Sequence, residues 1–205
     1  MSPHLLAIFL PLVLLYLAFW MWYGGNGRRM SPEEIEEALH QLRNSNPGHD
    51  NDAELESVRQ LLASDDGKEF VMQNLVRYRA KALYPEGTHF SDDPREADKR
   101  YGKSIIGDLL RYGNMVIFIA RKSGDFVRPE GADAWHYVAM VRYRSRRDFV
   151  RFATRANQAD KFMHKWAAIE KTHVFPVKPI ISFFAVRTLV ALLLITLGTF
   201  LSAVL

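Results

Sequence analysis

Three observations predict an α+β domain held between two membrane-crossing helices. Both ends of the 205-residue chain carry apolar runs long enough to span a bilayer, since about 20 mostly apolar residues cross a hydrocarbon core roughly 30 Å thick. Between them, segments of strand and helix character follow one another as strand, helix, strand, strand, helix, strand. The chain has no cysteine, which excludes disulfides, thiolate nucleophiles and cysteine-based metal sites. The expected organisation is a transmembrane helix at 4–23, a linker with an acidic helical pair at 24–69, the α+β domain at 70–178 and a second transmembrane helix at 179–205.

The first apolar run, 5–23, has no Lys or Arg before it and is too long for the core of a secretory signal. Tyr23-Gly24-Gly25-Asn26-Gly27 is a poor cleavage context, so an uncleaved anchor is expected. Trp20, Trp22 and Tyr23 gather at its end, where aromatic rings favour the headgroup boundary. Pro11 is expected to kink the helix or start its second half. The last run carries one charge, Arg187. Its guanidinium either snorkels to the near boundary, the favoured reading, or pairs with a partner inside the membrane. Arg28 and Arg29 follow the first run, and Lys171 and Lys178 precede the second. The positive-inside rule then puts the middle of the chain in the cytoplasm and both termini outside.

Gly24-Gly25-Asn26-Gly27 reads as a flexible joint. Ser31-Pro32-Glu33-Glu34 is a complete helix start, with Ser31 as cap, Pro32 at the first position and Glu34 closing a capping box. Ile35, Ala38, Leu39 and Leu42 form the helix's apolar stripe, which ends at Asn44-Ser45-Asn46-Pro47-Gly48. A second short helix follows Asp52, with Leu55, Val58, Leu61 and Leu62 on one face. The pair reads as a spacer or lid. Residues 31–69 hold 11 acidic and 3 basic side chains, a balance of −8, whereas 70–187 hold 22 basic and 12 acidic, a balance of +10. The favoured reading is two solvated faces; the alternative packs one segment against the other.

Residues 70–78 form a strand, Tyr84-Pro85-Glu86-Gly87 a turn, and 93–112 a helix with Tyr101, Ile105, Leu109 and Tyr112 at helical spacing. Strands follow at 115–120 and 135–143. Ser145 caps a helix to 156, a further helix is expected over 160–171, and 172–177 closes as a strand. This order is the split βαβ, or ferredoxin-like, arrangement.

Val71-Met72-Gln73-Asn74-Leu75-Val76-Arg77-Tyr78, Tyr84-Pro85-Glu86-Gly87 and Arg100-Tyr101-Gly102 together resemble an uncharacterised-function family of the dimeric α/β-barrel superfamily. Trp135, Val141-Arg142-Tyr143-Arg144-Ser145-Arg146 and Phe149 agree with it. The resemblance covers about half the chain, roughly 70–177, and neither apolar end nor the acidic helices belong to the pattern. It implies a protomer that pairs sheet to sheet with a second copy. Relatives in the superfamily include cofactor-independent oxygenases, haem-degrading enzymes, isomerases and members of no known reaction. Where the family usually has Trp followed by Asp, this chain has Trp135-His136, so any role of that carboxylate is in doubt.

His136 is the leading catalytic candidate, as a base near neutral pH. The commoner fate of such a residue is a hydrogen-bonded structural histidine. Alternation puts it with Val138, Met140 and Arg142, opposite Trp135, Tyr137, Ala139, Val141 and Tyr143. Asn74 and Tyr101 follow, as groups that hold a carbonyl or activate a phenol, or that merely satisfy backbone. Trp135, Tyr143 and Arg142 are expected to line a pocket. His164 and His173 lie on separate elements with no carboxylate at ligand spacing, so no metal and no cofactor are expected. Arg147, Arg151 and Arg155, with Arg144 before them, form a basic helix stripe for anionic lipid or a partner, or simply a solvated face. No stacking platform or groove-reading motif accompanies it, so nucleic acid is not an expected partner.

The leading expectation is a membrane-tethered accessory, assembly or scaffolding component of a membrane complex, self-associating or bound to another subunit. The alternative is a cofactor-independent oxygenase or isomerase on a lipophilic substrate such as a quinone or aromatic lipid. An enclosed pocket with an inward titratable group beside Asn74 or Tyr101 would favour the alternative.

Overall fold

A four-stranded sheet organises the middle of the chain. The computed structural model describes residues 2–24, 27–45, 52–181 and 185–204. They fall into two compact units, 27–178 and the two chain ends together.

In the larger unit, β1 (Phe70–Tyr78), β2 (Met115–Arg121), β3 (Tyr137–Tyr143) and β4 (Ile169–Val177) stand in the order β2-β3-β1-β4. Every pairing is antiparallel, with Met72 opposite Val141 and Pro176, and Asn74 opposite Ala139 and Val174. Helix α4 (Pro94–Arg111) joins β1 to β2, while α5 (Arg146–Ala156) and α6 (Ala159–Ala168) join β3 to β4. With β3 inserted between β1 and β2, this is the ferredoxin-like βαββαβ topology of the α+β class. The final strand begins three residues earlier than its β-formers suggest: α6 stops at Ala168, and buried Ile169 already pairs with Tyr78. Trp135 and His136 precede β3 rather than opening it.

Successive strand residues face opposite ways. One face carries Met72, Tyr143 and Val141 against Leu109, Phe152 and Ala156 of α4 and α5. Phe70 stacks on Tyr143 at 5.4 Å between ring centroids, and Phe149 meets Tyr143 edge-on at 5.1 Å.

The acidic segment packs against this body. Helices α2 (Pro32–Ser45) and α3 (Asp52–Ala63) bury Ile35, Leu39, Leu42 and Leu62 against Val150 of α5, with Phe149 and Ala153 alongside. The capping box forms as read: Ser31 N–H donates to Glu34 Oε2 at 2.8 Å, and Glu34 N–H to Ser31 Oγ at 3.3 Å. The Asn46-Pro47-Gly48 turn and Gly25-Asn26 of the joint lie outside the described residues.

The opposed charges interlock, contrary to the reading of two solvated faces. Arg146 donates to Asp65 and Asp66 at 3.2 Å each, Arg147 to Glu34 at 2.9 Å, Arg142 to Glu69, and Lys178 to Asp66 at 2.8 Å. Gly67, at φ +73°, is required where that loop passes residue 27, since a Cβ there would lie 2.2 Å from the Gly27 carbonyl oxygen.

The smaller unit holds α1 (Pro3–Tyr23) and α7 (Val186–Val204), both long and apolar enough to cross a membrane. Pro11 lies inside a continuous α1. Gly198 of α7 admits Phe9 of α1, whose Cε1 would stand 2.5 Å from an added Cβ. Arg187 is the second residue of α7, at its start. Its guanidinium carbon lies 4.5 Å from the Trp20 ring centroid and 5.6 Å from that of Tyr23. The aromatic cluster at the end of α1 thus cradles the single charge of α7 by cation–π contact.

Candidate functional site

Between the sheet and its helices lies a half-open cavity of about 1090 Å³, slightly larger than the usual small-molecule site of roughly 300–1,000 Å³. Met72, Asn74 and Val76 of β1 and Ala139 of β3 contribute to its floor. Helices α4, α5 and α6 form walls through Tyr101 and Ile105, Phe149 and Phe152, and Phe162 and Lys165. The remaining wall is α3, through Leu55, Val58 and Leu61. The second acidic helix is therefore part of the site, where the sequence suggested a spacer or lid.

A carboxylate sits inside. Asp98, on the first turns of α4, accepts the Tyr78 hydroxyl at 2.8 Å on one oxygen and the Tyr137 hydroxyl at 3.3 Å on the other. Burial raises its pKa, and the two phenol bonds act against that rise. Burial also pushes the phenols of Tyr78, Tyr101, Tyr137 and Tyr143 well above the usual tyrosine value, so all four remain protonated donors. Tyr143 is 5% exposed. Neither its hydroxyl nor that of Tyr101 bonds to another described residue, and both residues line the cavity. Lys165 reaches the cavity from α6 with its Nζ 5.0 Å from the Trp166 ring centroid. Burial is the main influence on it and lowers its pKa, with the Glu54 carboxylate opposing.

Of the residues singled out from the sequence, His136, Asn74, Tyr101, Trp135 and Tyr143 all line this one cavity. His136 accepts the Tyr78 backbone N–H on Nδ1 at 2.9 Å, its ring stacks on that of Tyr78, and its backbone N–H donates to the Val76 carbonyl at 2.8 Å. The imidazole thus extends the β1–β3 pairing at the strand end. Asn74 uses Nδ2 on the carbonyls of Met72 and Ala139, at 3.2 and 3.3 Å, and its amide pins two strands.

Arg142 does not line the pocket. Alternation turns it to the opposite face of the sheet, where it is bound to Glu69 with Nε–Oε2 at 2.8 Å. In the basic stripe, Arg144 forks onto Asp148 at 2.7 and 3.0 Å, and Arg147 binds Glu34 and the carbonyls of Arg28 and Arg29. Arg151 approaches Asp148 at 3.4 Å and Arg155 approaches Asp108 at 3.8 Å. Arg147 and Arg155 thus link α5 to other elements, whereas Arg144 and Arg151 pair locally with Asp148 of α5. His164 accepts or donates at Nδ1 to the Tyr84 hydroxyl at 2.9 Å, and burial followed by the Arg100 charge lowers its pKa. No three His, Asp or Glu side chains among the described residues are grouped to hold a metal ion.

Sequence reasoning missed Asp98 and Lys165. Asp98, Tyr101 and Ile105 share one helix face, and Lys165 lies three residues from Phe162, so the spacing signal was present.

No protein-family model matches the chain, and no curated protein matches it. Two crystal structures of RPA0582, a protein of unknown function from Rhodopseudomonas palustris, are similar to it. The methylated form is 26% identical with a TM-score of 0.55, covering 62% of this chain and 93% of that one. The other is 27% identical with a TM-score of 0.54, covering 62% and 94%. A DABB-family protein with a ferredoxin-like fold from Mesorhizobium loti is 11% identical with a TM-score of 0.35, covering 56% of this chain and 99% of that one. The strand order makes the middle of the chain a ferredoxin-like domain, and the two RPA0582 structures are similar to the chain over 62% of its length.

Proposed function

We propose that the chain is a two-span membrane protein whose middle domain stands on the cytoplasmic side and holds a lipophilic small molecule in the cavity. The cavity itself carries the reading. A void of about 1090 Å³ walled by Leu, Val and Phe side chains, with a few convergent polar groups, has the make-up of a ligand site. A domain serving only as a scaffold has no use for one. Two apolar anchors favour a ligand that partitions into the bilayer, because they keep the domain where such a molecule is concentrated. In the catalytic form of the reading, an oxygenase or isomerase without cofactor, Asp98 with its two phenols takes over the proton-handling role considered for His136, whose Nδ1 is committed to the Tyr78 amide.

The accessory reading keeps one supporting observation. The sheet face away from the cavity presents half-buried Leu75, Val138, Met140 and Phe175, with Phe118 39% exposed. Such an apolar face suits a second copy or a subunit of a membrane complex.

The test is mass spectrometry of organic extracts from the full-length protein purified in mild detergent, beside an Ala139→Trp variant that fills the cavity floor. A small molecule should accompany the wild type and be depleted in the variant. Extracts that match an unrelated two-span protein would refute the reading.

A further inference from the structure

The cavity wall is uneven in charge. Its lining includes six cations, Arg43, Arg95, Lys99, Arg121, Lys122 and Lys165, against two carboxylates, Glu54 and Asp98. Asp98 is already bound by the Tyr78 and Tyr137 hydroxyls. Arg43 and Lys122 have their own carboxylates, Asp52 and Asp125. Lys165 has none within ion-pair reach among the described residues; Glu54 acts on it only from further off. Tyr101 and Tyr143 add hydroxyls free to donate. A half-buried ammonium beside apolar walls has given up solvation without a counter-charge, and a ligand anion would restore what it has lost. A neutral ligand would instead shut the ammonium away from water without a partner.

We propose that the molecule held in this cavity is an amphiphile with one anionic head, a carboxylate or a phosphate ester, bound to Lys165, with its apolar part against Leu55, Val58, Leu61 and Phe162. The proposal rests on the reading that the cavity holds a small molecule at all.

The full-length protein in dodecyl maltoside is titrated with cis-parinaric acid, read by energy transfer from tryptophan, and with parinaric methyl ester, which has the same chain without the charge. The acid should bind at least tenfold more tightly than the ester. Lys165→Met should weaken the acid at least tenfold and leave the ester within about twofold, so that the ester reports that the variant is folded; Lys165→Arg should retain the acid. Oleate and oleyl phosphate then compete for the site, and the more potent of the two assigns the head as carboxylate or phosphate. Equal binding of acid and ester, or unchanged acid binding by Lys165→Met, overturns the anionic head while leaving the cavity reading intact. Failure of both probes on the wild type overturns the two together.

Discussion

Arg146 offers the sharpest test of how the acidic helices are fixed to the sheet domain. It is 3% exposed. Its Nε donates to the Leu61 carbonyl at 3.0 Å, one terminal nitrogen donates to Asp65 and Asp66 at 3.2 Å, and the guanidinium carbon lies 5.1 Å from the Phe70 ring centroid. Arg146→Met keeps much of the packing volume but strands the Asp65 carboxylate. Removing one partner of a buried pair costs about 3–5 kcal/mol. Asp65 retains two amide donors, Met30 N–H at 2.8 Å and Gly67 N–H at 3.0 Å, which puts the cost near the bottom of that range, at about 3 kcal/mol. Since 1.4 kcal/mol is a factor of ten, opening of α3 should become about 100-fold more frequent. Hydrogen exchange by mass spectrometry on the full-length chain in detergent reads this directly. Peptides from α3 should lose about two orders of magnitude in protection, while those from α7 stay unchanged. Arg146→Lys keeps the charge but not the planar fork, and should fall between. A loss below about threefold in α3, or an equal loss in α3 and α7, would refute the claim that this residue joins the helix to the domain.

Glu34 gives a pH test. Its bond from Arg147, followed by that from the Ser31 amide, holds its carboxyl at about 2 against an ordinary 4.5. The folded state therefore releases this proton more readily than the unfolded one, and the resulting stability is complete above pH 4.5 and lost as pH falls toward 2. Glu34→Gln should flatten that part of the acid melting curve. Lys165 runs the other way: burial puts its pKa below the ordinary 10.5, so the unfolded state binds more protons in that window and rising pH stabilises the empty fold. Parinarate affinity should fall over the same window as the ammonium is lost. The cysteine-free sequence suits single-cysteine mapping of the spans. In sealed cells an impermeant maleimide should label Ser2→Cys and Ser202→Cys but not Ser91→Cys, and the reverse pattern would place the domain outside.

Local signals served the reading of the fold well. The capping box at Ser31 and Glu34, the stripe of α2 and the strand order each follow from short-range chemistry, and the structure contains them all. The errors concern what only the third dimension decides. The 160–171 helix was drawn three residues too long because Ile169 is compatible with either element, and pairing with Tyr78 decides between them. The site was half legible: His136, Asn74, Tyr101, Trp135 and Tyr143 do converge on one cavity. Arg142 was assigned to it against the alternation of its own strand. The spacing of Asp98 from Tyr101 and Ile105, and of Lys165 from Phe162, puts both charges on apolar helix faces, but nothing local says that such a face meets a void rather than packed core. The charge asymmetry was visible, but its meaning depended on Arg146 and Arg147 reaching back across more than 80 and 110 residues to Asp65 and Glu34.

Because residues of α3 close one side of the cavity, the ligand compartment does not belong to the sheet domain by itself. A fragment beginning at Phe70 would retain all four strands and helices α4 to α6, yet lose the wall that Leu55, Val58 and Leu61 supply. Whatever the protein holds, it holds by means of a segment that the core topology does not require.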